Sequence, residues 1–146
     1  MADLLDGVGF GVGVAMPVWR LSLKSRPERI EVRRWIRGRL SADLDTHTLV
    51  DVLLVVGELV GNAYIHTTSP RELRVRRSDV GVLVEVSDGD VQHPQEMDSS
   101  DDRWGGRGIQ VLIELATSWG VRLEDGGKVV WALLPLVEPR FAPRTG

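Results

Sequence analysis

Residues Leu49 to His66 read LVDVLLVVGELVGNAYIH, and the fold turns on how this stretch is read. It has no Pro, and only two Gly interrupt its run of Leu and Val, so an α-helix is predicted. At about 100° per residue, Leu49, Leu53, Val56, Val60 and Ala63 share a narrow arc flanked by Val52, Leu59 and Tyr64. Asp51, Glu58, Asn62 and His66 lie on the opposite side. Glu58, Asn62 and His66 are spaced i, i+4, i+8, which makes them neighbours on one face. A polar face wetted by solvent accounts for many such rows. Burying a carboxylate, a carboxamide and an imidazole without partners is costly, and a divalent cation with a phosphate would supply those partners.

Working outward from this helix, Ser41 to Asp45 is polar and caps it, and Ser69-Pro70 closes it. Upstream, Arg26-Pro27-Glu28 starts another helix, with Pro and an acid in its first turn. It runs to about Leu40, with Val32, Trp35, Ile36 and Leu40 set against Ile30, Arg33, Arg34 and Arg37, and its basic face reads as solvated surface. Val18 to Leu23 alternates as a strand does. Residues 1–17 include GVGFGVGVAMP and form a flexible lead-in. No Gly-Lys-Ser/Thr follows those glycines, so they are not read as a phosphate loop. Asp3 and Asp6 stand where a signal peptide would carry basic residues.

Downstream, Leu73 to Arg77 and Val80 to Val86 alternate and make a hairpin around Ser78 to Gly81. A polar segment from Val91 to Arg103 reads as a loop or a lid. Trp104 to Gly108 opens a third helix with Ile109, Leu112, Ile113 and Ala116 on its apolar face. Val121 to Leu123 and Val129 to Leu134 form the last hairpin about Asp125-Gly126-Gly127. The tail, residues 137–146, leaves the domain. Paired strands with helices between them imply an α+β two-layer sandwich, its mostly antiparallel sheet covered on one face by three helices. Residues 18–136 form one domain.

The 146 residues suffice for a single hydrophobic core. A net charge of −3 with scattered basic residues argues against nucleic acid as a direct partner. With no Cys, the chain has no disulfide framework and no thiolate metal site. No apolar run approaches the roughly twenty residues of a membrane span, so a cytoplasmic location is expected.

Three motifs stand in order: Glu58-x-x-x-Asn62-Ala63-x-x-His66 on a helix, Asp88-Gly89-Asp90 at a strand end, and Gly105-Gly106-Arg107-Gly108 opening a helix. Over roughly Trp19 to Leu136 the sequence resembles the GHKL (Bergerat-fold) ATPases, in particular the anti-sigma-factor serine kinases and related bacterial regulators. GELVGNAYIH resembles that family's N box, SDGD its first glycine box and GGRGIQVL its second. The resemblance implies an ATP- and Mg²⁺-binding serine/threonine kinase that sequesters a sigma factor and phosphorylates an anti-sigma-factor antagonist; it leaves room for a homodimer. It makes Glu58 the general base and Asn62 the Mg²⁺ ligand. Asp88 reads adenine beside Gly89, His66 orients phosphate or lid, and Gly106, Arg107, Gly108 and Ile109 cradle phosphate at a helix N-terminus. Two positions depart from the family pattern: Val91 replaces a Gly, and Val129 stands where a Thr beside the adenine Asp is expected. A non-catalytic ATP-dependent regulatory module is the alternative. A split histidine-kinase catalytic domain is a third reading, and it needs a phosphoacceptor His and a dimerising helix pair that the chain does not supply.

Overall fold

The computed structural model describes residues 17–67, 69–90 and 109–136. In them the chain forms β1 (Val18–Ser22), α1 (Arg29–Leu40), α2 (Thr46–His66), β2 (Pro70–Arg77), β3 (Gly81–Asp88), α3 (Ile109–Leu115), β4 (Ser118–Glu124) and β5 (Gly127–Pro135). The lead-in, the Val91–Arg103 segment, the Gly105–Gly108 turn and the tail lie outside the described residues.

α2 starts earlier than its apolar run, because Asp45 sits in extended backbone and its Oδ1 accepts a hydrogen bond from the Thr48 N–H at 2.8 Å. The helix thus reaches 21 residues, long and apolar enough to cross a membrane by length and composition. That corrects the expectation that no run comes near this length. α2 instead packs between α1, α3 and the sheet, burying residues from Thr48 to Ala63 on more than one side.

The sheet runs β1-β2-β3-β5-β4, and every neighbouring pair is antiparallel. Alternate residues Leu73, Val75, Val82, Val84, Val86, Val130, Ala132 and Leu134 join Val32, Ile36, Leu40 and the buried face of α2 in one core. The expected two-layer α+β sandwich is the fold that forms. At full burial each such side chain contributes about 1.5–3 kcal/mol, so this face supplies most of the stability.

Element boundaries shift from the sequence expectation for local reasons. β2 begins at Pro70, three residues early, since a first-position Pro gives up no ladder N–H, and the register slips between Pro70 and Glu72. β4 begins at Ser118, where Gly120 lies under the Trp131 ring; a Cβ there would come within 3.1 Å of it. In α3, Val111 and Leu112 are buried while Ile113 is 62% exposed, so the helix is turned away from the face expected for it.

The opposite face of the sheet is not simply polar. Leu83, Val129 and Trp131 form a small second cluster with Leu133 against it. Beside them Glu85, 1% exposed, accepts from Arg122 Nη2 at 2.6 Å and lies 3.6 Å from Arg74 Nε. Arg74 and Arg122 both reach Glu124, at 3.0 and 3.1 Å. Burial works against charge on Arg122, but the Glu85 and Glu124 carboxylates outweigh it and push its pKa up. Burial would likewise raise Glu124, yet Arg122 and Arg74 pull it below the ordinary carboxylate value.

Candidate functional site

The C-terminal end of α2 is fixed from below by Arg26. Its guanidinium donates to the Tyr64 carbonyl at 3.1 Å and the Thr67 carbonyl at 3.2 Å, and sits 5.2 Å from the Tyr64 ring centroid. A cation on the last carbonyls complements the helix dipole. These contacts hold Arg26 in the left-handed region at φ 52°, a conformation that favours glycine. Tyr64 in turn donates its hydroxyl to the Pro27 carbonyl at 2.9 Å.

Burial pushes the Tyr64 phenol up to about 12 from 10.0, with Arg26 opposing. The folded protein therefore holds this proton more tightly than the unfolded chain does. Its contribution is present below pH 10 and is lost as pH rises towards 12. Because the ring is only partly buried, the loss should be on the order of 1 kcal/mol. Urea midpoints taken between pH 9 and 12 for wild type and Tyr64→Phe test this, with the variant expected to show the shallower decline.

Above this base, Thr67 N–H closes α2 on the Ala63 carbonyl, Ser69 N–H bonds Thr67 Oγ1 at 3.1 Å, and Gly89 N–H bonds the Ser69 carbonyl at 2.8 Å. This chain of bonds brings the end of α2 against the end of β3. It puts the helix that carries Glu58, Asn62 and His66 and the strand that ends in Asp88 and Gly89 side by side at these ends. A Cβ on Gly89 would stand 3.1 Å from Ser69 Cβ, so the backbone crosses closely there.

Glu58, Asn62 and His66 are each half-buried along α2. Among the described residues, the buried Asn62 Nδ2 and His66 Nε2 have no hydrogen-bond partner. A buried donor left without a partner costs about 1–3 kcal/mol, so two side by side are what a phosphate-bearing ligand with a hydrated cation would satisfy. Turning the Asn62 amide over would aim its oxygen, a hard ligand, at the same point. No group of three or more His, Asp or Glu able to hold a metal occurs among the described residues.

Asp88 is 2% exposed, and its surroundings hold a residue that the sequence reading passed over. Oδ1 accepts from the Asp90 N–H at 2.7 Å. Lys128, 7% exposed, places Nζ 3.2 Å from Oδ1, 3.1 Å from Oδ2 and 3.3 Å from the Asp90 carbonyl. The register pairs Asp88 with Lys128 and Ser87 with Val129, so Val129 faces the opposite side of the sheet. Val129 therefore does not stand beside Asp88 as expected; Lys128 does. The Asp125-Gly126 turn, with φ of 49° and 74°, sets this register, and Gly127 presses so close to Asp88 that a Cβ would overlap its carbonyl. Counting back in twos from the core-facing Leu134, Ala132 and Val130 lands on Lys128 and would have found it. Ile109 opens α3, while Gly106, Arg107 and Gly108 lie outside the described residues.

An antiparallel sheet backed by helices, with a polar row on the central helix and a buried aspartate at a strand end, is the arrangement of the GHKL class. The model of the histidine kinase-like ATPase domain family matches residues 23–134, and the chain belongs to that family. A crystal structure of the RsbU and RsbW domains of Rv1364c from Mycobacterium tuberculosis is similar in fold. Its TM-score is 0.62 at 18% identity, over 86% of this chain and 34% of that one. The chain thus spans about a third of that protein's solved length. No curated protein matches it.

Proposed function

We propose that the chain binds ATP with Mg²⁺ and works as a serine/threonine protein kinase of the anti-sigma type. The observation that carries the reading is a pair of buried atoms on one face of α2, Asn62 Nδ2 and His66 Nε2, with no hydrogen-bond partner among the described residues, in a member of an ATPase family. Asn62 would hold Mg²⁺ together with the nucleotide phosphates, and His66 would face a phosphate oxygen. Asp88 and Gly89 would meet the base, and the turn at Gly106, Arg107, Gly108 and Ile109 would receive phosphate. Mg²⁺ held there would supply positive charge to offset that of the phosphates. Glu58 would take the proton of an attacking serine hydroxyl as its oxygen bonds to the γ-phosphorus and the bond to ADP breaks.

A sigma factor and an antagonist protein are the partners this reading assigns, in the cytoplasm. The surface that best suits an acidic protein segment is on α1. There Arg29, Arg33, Arg34 and Arg37 make no ion pair among the described residues and line a trough of about 660 Å³ around Ile30, itself 64% exposed.

Nucleotide-dependent stabilisation is the direct test. Millimolar ATP with Mg²⁺ should raise the unfolding midpoint, and 100-fold excess over Kd corresponds to about 2.7 kcal/mol. A melting curve that ATP leaves unmoved, in folded protein free of carried-over nucleotide, would remove the ATP reading.

A further inference from the structure

We infer that Lys128 makes the base pocket accept 6-oxopurine as well as 6-aminopurine nucleotides, so that GTP and ITP bind alongside ATP. The inference rests on the nucleotide-binding reading above and concerns what the base meets there.

A carboxylate only accepts hydrogen bonds. Standing alone at a strand end, it welcomes the amino group at purine position 6 and repels an oxygen there. Asp88 does not stand alone: Lys128 Nζ lies within 3.2 Å of both its oxygens. The two residues are directly paired across β3 and β5, share a face of the sheet, and are 2% and 7% exposed. No other described group approaches Lys128 Nζ within bonding distance except the Asp90 carbonyl, the longest of its three contacts at 3.3 Å.

The hydrogen-bond inventory of this pair is what decides specificity. An ammonium has three donors, and an ionised carboxylate has about four acceptor sites. Lys128 and the Asp90 N–H occupy three of the sites on Asp88, leaving one for an incoming N–H. The Lys128 proton aimed at the Asp90 carbonyl is the one most easily handed to an incoming oxygen. The pair therefore presents an acceptor and a donor about 3 Å apart. Adenine meets them with its 6-amino hydrogen and N1. Guanine and hypoxanthine meet them with N1–H and O6.

The Lys128 ammonium also weakens what an adenine amino group gains from Asp88, because the carboxylate's charge is already met by a cation at contact distance. Leu123, the third residue of the row Asp88, Lys128, Leu123, is 74% exposed, so the row runs from a buried carboxylate out to solvent at the β4 edge.

The test is competition of ATP, GTP and ITP against a fluorescent ATP analogue, on the full chain with Mg²⁺. In wild type, GTP and ITP should bind within about tenfold of ATP. In Lys128→Met, which keeps length and removes the donor, the GTP-to-ATP ratio of Kd should rise to about 10²-fold or more, as expected when a buried polar group is left without its match. The readout is a ratio, so a general loss of affinity cancels. If Lys128→Met does not fold, Lys128→Gln, which keeps a neutral donor, should give an intermediate ratio, and the wild-type ratio alone still decides. Wild type that binds ATP and rejects GTP and ITP by more than about 10²-fold overturns the inference and leaves the ATP reading standing. A ratio unmoved in both variants also overturns it. Failure of all three nucleotides to bind removes the ATP reading, and this inference with it.

Discussion

Glu58→Gln should leave ATP binding intact and lower phosphoryl transfer by about 10²–10⁴-fold, the usual contribution of a positioned general base. The glutamine keeps the shape and polarity of a half-buried side chain on α2 and loses only the capacity to take a proton. Asn62→Ala, one turn along, should behave differently. It removes the carboxamide whose buried Nδ2 has no partner among the described residues, and with it the hard oxygen proposed for Mg²⁺. Mg²⁺-dependent nucleotide affinity and transfer should then fall together. Calorimetric titration of each variant with ATP, with and without Mg²⁺, separates the two roles when set beside single-turnover transfer to an antagonist protein. Unchanged transfer in Glu58→Gln would strip Glu58 of its role. Wild type that binds ATP and antagonist without transferring phosphate would make the chain a nucleotide-regulated binding module.

The largest expected effect on stability comes from the other face of the sheet. Glu85→Ala should cost about 3–5 kcal/mol, because it leaves the Arg74 and Arg122 guanidiniums without their shared central carboxylate in a nearly dry position. That is a large share of the 5–15 kcal/mol typical of a whole domain. Glu85→Gln should lose less, since it can still accept from Arg122. The urea midpoint reports both, and an alanine variant within 1 kcal/mol of wild type would show that Glu124 alone suffices for the two arginines. Acid should erode the same cluster. Glu124 has its pKa lowered on folding, so its contribution is present above the ordinary value of 4.5 and fades as pH falls through the lowered one.

All eight elements could be read from the sequence because the core-facing residues keep period two in the strands and the apolar stripe of α2 is continuous. Glu58, Asn62 and His66 are candidates by their spacing, and Asp88 is one through the resemblance of SDGD to the family's first glycine box. What stayed hidden depended on register or on the third dimension. Lys128 carries no signal of its own in the sequence, because the Asp125-Gly126 turn fixes which strand position it faces. Glu85 looked like the outward half of an alternating strand. Only the sheet order, which sets Arg74 on one side and lets Arg122 reach across β5 from the other, makes it a buried charge. The face of α3 was misjudged because seven residues carry too little periodicity to choose between Val111 and Ile113.

The strand order also bears on how the chain assembles and opens. β2 with β3, and β4 with β5, are hairpins that close locally and quickly. The β3–β5 junction joins them, bringing together Asp88 and Lys128 from forty positions apart. Contacts that distant are slow to form, because the loop between them must lose its freedom before they reward it. The junction therefore closes after the two hairpins it joins, and a partial opening there would release the β4–β5 hairpin as a unit. A nucleotide base touching both Asp88 and Lys128 would clamp that junction, and amide exchange in β5 would slow more on binding than exchange in β2.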